Sequence, residues 1–124
     1  MERLNQLTDR VICSAIQVHR ELGPGLLEST YEACLEYEFI QAGLVVERQK
    51  GLPVKYRGVE IECGNRLDLV VENKLIVELK SVEKILPIHR AQLLSCLKIS
   101  GMKLGLLLNF NVNLLKDGLV RISN

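Results

Sequence analysis

Aromatic residues are scarce in this chain. Its 124 residues include three Tyr, two Phe and no Trp, whereas 48% of the sequence is hydrophobic. The core must therefore be aliphatic, and few aromatic side chains remain for stacking on nucleic-acid bases. A chain of this length is expected to form one domain, residues 1–124, and it is long enough to bury a large fraction of its surface.

An excess of charge of either sign is also absent. The formal net charge is +1 at pH 7, which excludes a strongly basic nucleic-acid-binding arm and a strongly acidic tail. A local basic patch stays open, with ordinary solvated charge as the alternative. The basic residues that could form it are Lys50, Lys55, Arg57, Arg66, Lys80, Lys84 and Arg90.

The cysteine pattern and the lack of long apolar runs exclude further classes. Four cysteines occur, without a CxxC pair or paired-His spacing, which argues against a zinc site. Cys13, Cys34 and Cys96 fall in helical patterns and are expected to be small buried hydrophobes. The N-terminus has no signal-peptide apolar run, and no run approaches the roughly 20 residues that span a bilayer. We therefore expect a soluble cytoplasmic protein without a membrane segment.

Hydrophobic periodicity predicts the order α-α-β-β-β-β-β-α-β-β. Helices are expected over residues 3–22, 26–42 and 87–100, where apolar residues recur at helical spacing. Strands are expected at 44–49, 53–57 and 59–63, in a hairpin over 66–80, and at 103–110 and 118–123, the last as an edge strand. The third helix is long enough to join its flanking strands in parallel. This order predicts an α/β fold with a mixed sheet flanked by helices.

The hairpin over 66–80 has the most informative pattern. A three-residue loop at 72–74 would pair Val71 with Leu75, and would leave the alternate apolar residues on one face. That face would hold Leu67, Leu69, Val71, Leu75, Val77 and Leu79. The loop also requires a left-handed residue, for which Asn73 or Lys74 is expected.

This register places two carboxylates, Asp68 and Glu78, directly across the strand pair. Like charges in such a position are unfavourable by a few tenths to about 1 kcal/mol. A hard divalent cation with oxygen ligands would relieve the repulsion. Lys80 lies two residues beyond Glu78 and on the same face. The alternative for Glu78 and Lys80 is a cross-strand ion pair on a wet sheet face.

The spacing Asp-(x)9-Glu-x-Lys on adjacent strands, with Glu28 on a preceding helix and Gln92 on a following one, resembles the PD-(D/E)XK nuclease superfamily. The resemblance implies a restriction-endonuclease-like αβββαβ core with an extra N-terminal helix and strands. It covers almost the whole chain. Leu67 stands where Pro often precedes the Asp of the motif.

The chain is most similar to one branch, the GxxExxY proteins. Their naming motif is present as Gly25-Leu-Leu-Glu28-Ser-Thr-Tyr31. The segments 19–29, 67–71, 76–80 and 105–110 also look like this family.

The resemblance implies a role for each motif residue of the hairpin. Asp68 and Glu78 would hold Mg²⁺ or Mn²⁺, with the Leu79 carbonyl as a third ligand. Magnesium commonly takes one or two carboxylates plus waters and substrate phosphate. Lys80 would place or polarise the attacking water and offset charge on the phosphate.

The helix residues have two interpretations each. The resemblance implies that Glu28 is a direct or water-mediated metal ligand, and the alternative is a partner of the helix dipole. Gln92 would contact Lys80 or the metal-bound water, and the alternative is a surface residue. Tyr31 is expected in the core with its hydroxyl near the site, and Asn109 is expected to satisfy a turn.

The leading interpretation is a Mg²⁺- or Mn²⁺-dependent nuclease that hydrolyses phosphodiester bonds through a metal-activated water, with DNA favoured over RNA. No separate recognition domain is visible, so specificity would come from a homodimer or a partner protein. The competing interpretation is a non-catalytic nucleic-acid or protein-interaction module on a nuclease scaffold, because fold does not settle function. A third is a structural subunit that pairs through its apolar surface.

Overall fold

The computed structural model describes residues 2–124, with side chains from Arg3 onward. The three helices are α1 (Glu2–Leu22), α2 (Glu28–Gln41) and α3 (Pro87–Ser100). The strands are β1 (Val46–Gly51), β2 (Val54–Tyr56), β3 (Val59–Ile61), β4 (Arg66–Val71), β5 (Leu75–Lys80), β6 (Leu104–Asn109) and β7 (Leu119–Ser123). The predicted order is confirmed, although α2 begins two residues later than expected and a 3-10 turn, Leu115–Gly118, precedes β7.

Five of the strands form one mixed sheet in the order β1-β4-β5-β6-β7. Only β5 and β6 are parallel, and α3 connects them as predicted. β7 is an edge strand, as predicted, and β2 and β3 form a separate hairpin whose turn is Arg57-Gly58. The predicted mixed α/β class is confirmed.

Helices cover both faces of the sheet. α1 and α2 pack on one face because their buried residues recur at helical spacing, as in Val11, Ala15 and Val18 of α1. α3 covers the other face through Leu93 and Leu97. All six residues of β6 are buried as a result, which explains its near-continuous apolar sequence. No helix within residues 2–124 has the length and hydrophobicity to cross a membrane.

The register predicted for the β4–β5 hairpin is confirmed. Val71 pairs with Leu75, and the loop has three residues. Asn73 has a positive φ of 54°, as expected, but so does Glu72 at 55°. Glu72 is held there because its backbone N–H donates to the Val45 carbonyl at 2.7 Å and its carboxylate accepts from the Val45 N–H at 2.5 Å.

Two predictions about burial are wrong. Leu67 packs beneath α3 with Val70 and Ile76 instead of sharing the face of Leu69, because regular pairing of β4 with β5 ends at Leu69 and alternation does not continue past it. Cys13 is exposed, because it lies off the single stripe of α1 that the sheet buries. Cys34 and Cys96 are half-buried.

Candidate metal centre

The candidate site lies where β4 and β5 separate. Their ladder runs from Val71↔Leu75 to Leu69↔Val77, and beyond it side chains replace backbone pairing. The Leu79 N–H donates to Asp68 Oδ2 at 2.9 Å, and the Asp68 N–H donates to Glu78 Oε1 at 3.2 Å. Each carboxylate therefore bonds to the opposite strand, and the two acids lie together in the opening.

The environment of the pair disfavours the ionised form of Glu78. Burial, followed by the negative charge of Asp68, raises the pKa of Glu78 to about 8, although the Asp68 backbone N–H and the charge of Lys80 act in the opposite direction. Burial also raises the pKa of the Cys96 thiol on α3, and the charges of Glu78 and Asp68 add to that effect. Near neutral pH Glu78 therefore retains a proton that an isolated glutamic acid would release.

Lys80 is the last residue of β5 and is half-buried. Among the side chains of residues 3–124, three ion pairs form within 4.0 Å, and none includes Lys80. Its ammonium is close enough to Glu78 to lower the pKa of that acid. The Lys80 ammonium therefore lies near Glu78 but, among the described side chains, forms no ion pair with a carboxylate within 4.0 Å.

The backbone after Lys80 is held by Asn109, which is buried at the end of β6. Its Nδ2 donates to the Val82 carbonyl at 2.9 Å, and its Oδ1 accepts from the Val82 N–H at 3.1 Å. The Phe110 N–H donates to the Lys80 carbonyl at 3.0 Å. Asn109 is expected from the sequence to satisfy a turn, and its Oδ1 does accept from the Asn111 N–H at 3.2 Å, but its bonds to Val82 join segments 27 positions apart.

The Gly25–Tyr31 motif holds the loop before α2 against the same segment. Tyr31 is buried and stacks on Phe110, with ring centroids 4.3 Å apart. Its hydroxyl donates to the Gly23 carbonyl at 2.6 Å and accepts from the Leu26 N–H at 3.1 Å. The Ser81 hydroxyl donates to the Leu26 carbonyl at 2.8 Å, which joins the loop to the end of β5.

Among the described side chains, two predicted site residues, Glu28 and Gln92, form no hydrogen bond with the acid pair. Glu28 is exposed and its Oε2 accepts from the Ser81 N–H at 3.3 Å. Within the described part of the chain, no three His, Cys, Asp or Glu side chains group as a metal cluster would, so Glu28 does not join Asp68 and Glu78. Gln92 is exposed in the second turn of α3.

Three residues near the pair were not predicted from the sequence: Glu32, Arg48 and Gln49. Glu32 on α2 is 6% exposed, and its Oε2 accepts from Arg48 Nε at 2.7 Å. This hydrogen bond raises the pKa of Arg48 above its ordinary value. Gln49 Nε2 donates to Glu32 Oε1 at 2.7 Å and lies 3.4 Å from Asp68 Oδ1. One signal could have identified Glu32, since it follows Glu28 by one helical turn and shares its face.

Comparison with protein families matched residues 5–122 to the PD-(D/E)XK nuclease superfamily. The match covers nearly the whole chain, and the mixed sheet with flanking helices is consistent with the restriction-endonuclease-like fold. The chain therefore belongs to the PD-(D/E)XK nuclease superfamily. Comparisons with curated proteins and with solved structures found no match.

Proposed function

We propose that this protein is a Mg²⁺- or Mn²⁺-dependent nuclease of the GxxExxY branch that hydrolyses phosphodiester bonds of nucleic acid. The observation that carries the proposal is the convergence of Asp68 and Glu78 in the opening between β4 and β5, with Lys80 beside them. Superfamily membership supports nucleic acid as the substrate class.

The donor chemistry of this pair fits a hard divalent cation. Two carboxylates, completed by waters and substrate phosphate, are a sufficient protein contribution for Mg²⁺. Burial and the neighbouring Asp68 charge raise the pKa of Glu78 and so disfavour its ionised form, which a bound cation would stabilise. A bound divalent ion supplies Lewis acidity and lowers the pKa of a coordinated water.

The remaining motif residues act on water, phosphate and backbone in this proposal. The Lys80 ammonium orients the attacking water and offsets charge on the phosphate. Glu28 holds the backbone that follows Lys80 through the Ser81 N–H, and its carboxylate would act on a bound ion through a water. Gln92, exposed on α3, contacts the water network or the substrate.

DNA is the favoured substrate, and the scarcity of aromatics argues against single-strand recognition by base stacking. The single domain proposed for residues 1–124 leaves specificity to a second copy of the chain or to a partner protein. We place this activity in the cytoplasm.

The decisive experiment is a nuclease assay on duplex and single-stranded DNA and on RNA, with and without Mg²⁺ or Mn²⁺. Lys80→Ala should reduce cleavage by roughly 10²–10⁴-fold, the range for a residue that assists proton transfer or charge stabilisation. Lys116→Ala, which removes an exposed lysine outside the candidate basic patch, is the matched control and should leave cleavage unchanged. Equal cleavage by wild type and Lys80→Ala would assign the activity to a contaminant.

Calorimetric titration with Mn²⁺ tests the ligand assignment separately from cleavage. Asp68→Asn keeps the shape of the side chain but removes its charge, so metal binding should be lost. If wild type binds no metal at millimolar concentration yet binds nucleic acid, the protein is a non-catalytic module on the nuclease scaffold.

A further inference from the structure

Gln49 has an unusual backbone conformation within β1. Its φ is 54°, although non-glycine residues rarely adopt positive φ in a strand. The pairing of Arg48 with Leu69 and of Lys50 with Leu67 places Gln49 opposite Asp68. Strained residues persist only where their surroundings hold them, and they concentrate at functional sites.

The Gln49 amide contacts two acids from different elements. Its Nε2 donates to Glu32 Oε1 at 2.7 Å and lies 3.4 Å from Asp68 Oδ1. A glutamine amide nitrogen has two hydrogens and can therefore donate to both carboxylates at once. Gln49 thereby bridges α2 and the candidate metal centre.

The α2 end of this bridge is the buried Glu32 carboxylate, whose two oxygens accept from different side chains. Glu32 is 6% exposed, and the oxygen that does not contact Gln49 accepts from Arg48 Nε at 2.7 Å. Both oxygens of this carboxylate thus have donors, and because Glu32 is buried whereas Arg48 is exposed, loss of these donors would leave a buried charge without partners. Glu32 is consequently a fixed acceptor that orients the Gln49 amide.

The other end contacts the Asp68 carboxylate, with Gln49 Nε2 3.4 Å from Asp68 Oδ1. Asp68 Oδ2 accepts from the Leu79 N–H at 2.9 Å, which leaves Oδ1 to be held by Gln49. We infer that Gln49 is a positioning residue, which transmits the Glu32–Arg48 anchor to Asp68 and sets the orientation of that carboxylate toward a divalent ion. This inference rests on the proposed metal-dependent function. Groups that hold a ligating carboxylate are commonly worth 10- to 100-fold in metal affinity.

Two variants separate this role from a contribution to folding. Gln49→Met keeps the length of the side chain and removes its donor. Gln49→Gly also removes the donor but suits the positive φ, so it relieves the backbone strain. Gln41→Met, at an exposed glutamine at the end of α2, is the matched control. Mn²⁺ affinity by calorimetry, thermal unfolding and cleavage of duplex DNA would be measured for each protein.

Both Gln49 variants should bind Mn²⁺ about 10- to 100-fold more weakly than wild type, whereas Gln41→Met should not. Gln49→Gly should bind Mn²⁺ more weakly while its unfolding midpoint stays near that of wild type. A purely structural role for Gln49 would not produce this combination. Affinity within about twofold of wild type in either variant would overturn the inference, since it lies below the range for such partners.

The same measurements distinguish this inference from the proposed function. A wild type that binds Mn²⁺ but cleaves no nucleic acid, with weaker binding in both variants, would refute the nuclease and support the positioning role. A wild type that binds no Mn²⁺ would overturn both.

Discussion

Replacing Glu78 with Gln should remove most of the pH dependence of stability that the acid pair creates. The pKa of Glu78 is about 8 in the folded protein, against an ordinary value of 4.5. Between these values the folded state binds more protons than the unfolded state, so the free energy of unfolding falls as pH rises. The stability that protonation of Glu78 contributes is fully present below pH 4.5 and is lost by about pH 8.

The size of the effect follows from the same shift. A fully titrating group changes stability by about 1.4 kcal/mol per pH unit. Sharing of the charge with Asp68 and partial access of water reduce the total, and we expect about 2–3 kcal/mol across the window. Gln resembles the protonated acid, so the metal-free variant should match wild type near pH 5 and exceed its stability by about this amount near pH 8.

Urea unfolding in the presence of a chelator, at several pH values, would measure this difference. Glu83→Gln, at an exposed acid in the loop after β5, controls for the general loss of one negative charge. If wild type and Glu78→Gln show the same pH dependence, Glu78 does not titrate in this window and the account of the acid pair fails.

Three further substitutions test the surrounding structure by chemical denaturation. Tyr31→Phe should cost about 1–3 kcal/mol, because the loop before α2 loses two buried hydrogen bonds; an unchanged midpoint would contradict this. Gly118→Ala should cost about 3 kcal/mol or more, since its added Cβ would lie 2.1 Å from the Asn109 carbonyl oxygen; near-wild-type stability would show that this backbone shifts freely. Arg48→Met should cost about 1–2 kcal/mol, because the buried Glu32 carboxylate loses its charged donor and keeps only the Gln49 amide; Arg48→Lys should cost less, and no effect would mean that the carboxylate is well solvated.

The order of elements and the pairing of the hairpin could be predicted from the sequence. Alternation of apolar and polar residues along β4 and β5, with an odd loop length, allowed one register that keeps apolar side chains together. That register also placed Asp68 opposite Glu78. The bounds of α3, Pro87–Ser100, followed equally from a proline at the start and a glycine just after the end.

Other features of the site depend on segments far apart in the chain. The contacts of Gln49 with Glu32 and Asp68 join residues 17 and 19 positions apart, and they exist only because α2 packs beside β1 and β4. Glu28 could be identified from its motif, but its partner, the Ser81 N–H, lies 53 positions away. Leu67 lies on the face of the sheet opposite to the predicted one because the strands separate at the site. Hydrophobic periodicity does not indicate where two strands separate.

The sequence by itself therefore determined the elements, the strand register and the two carboxylates that face each other, because these depend on the spacing of near neighbours along the chain. Only the tertiary structure decided the burial that raises the pKa of Glu78, the separation of β4 from β5 and the amide that holds Asp68. Burial and charge–charge distances are set by how separate segments pack, and a one-dimensional pattern contains no such distances.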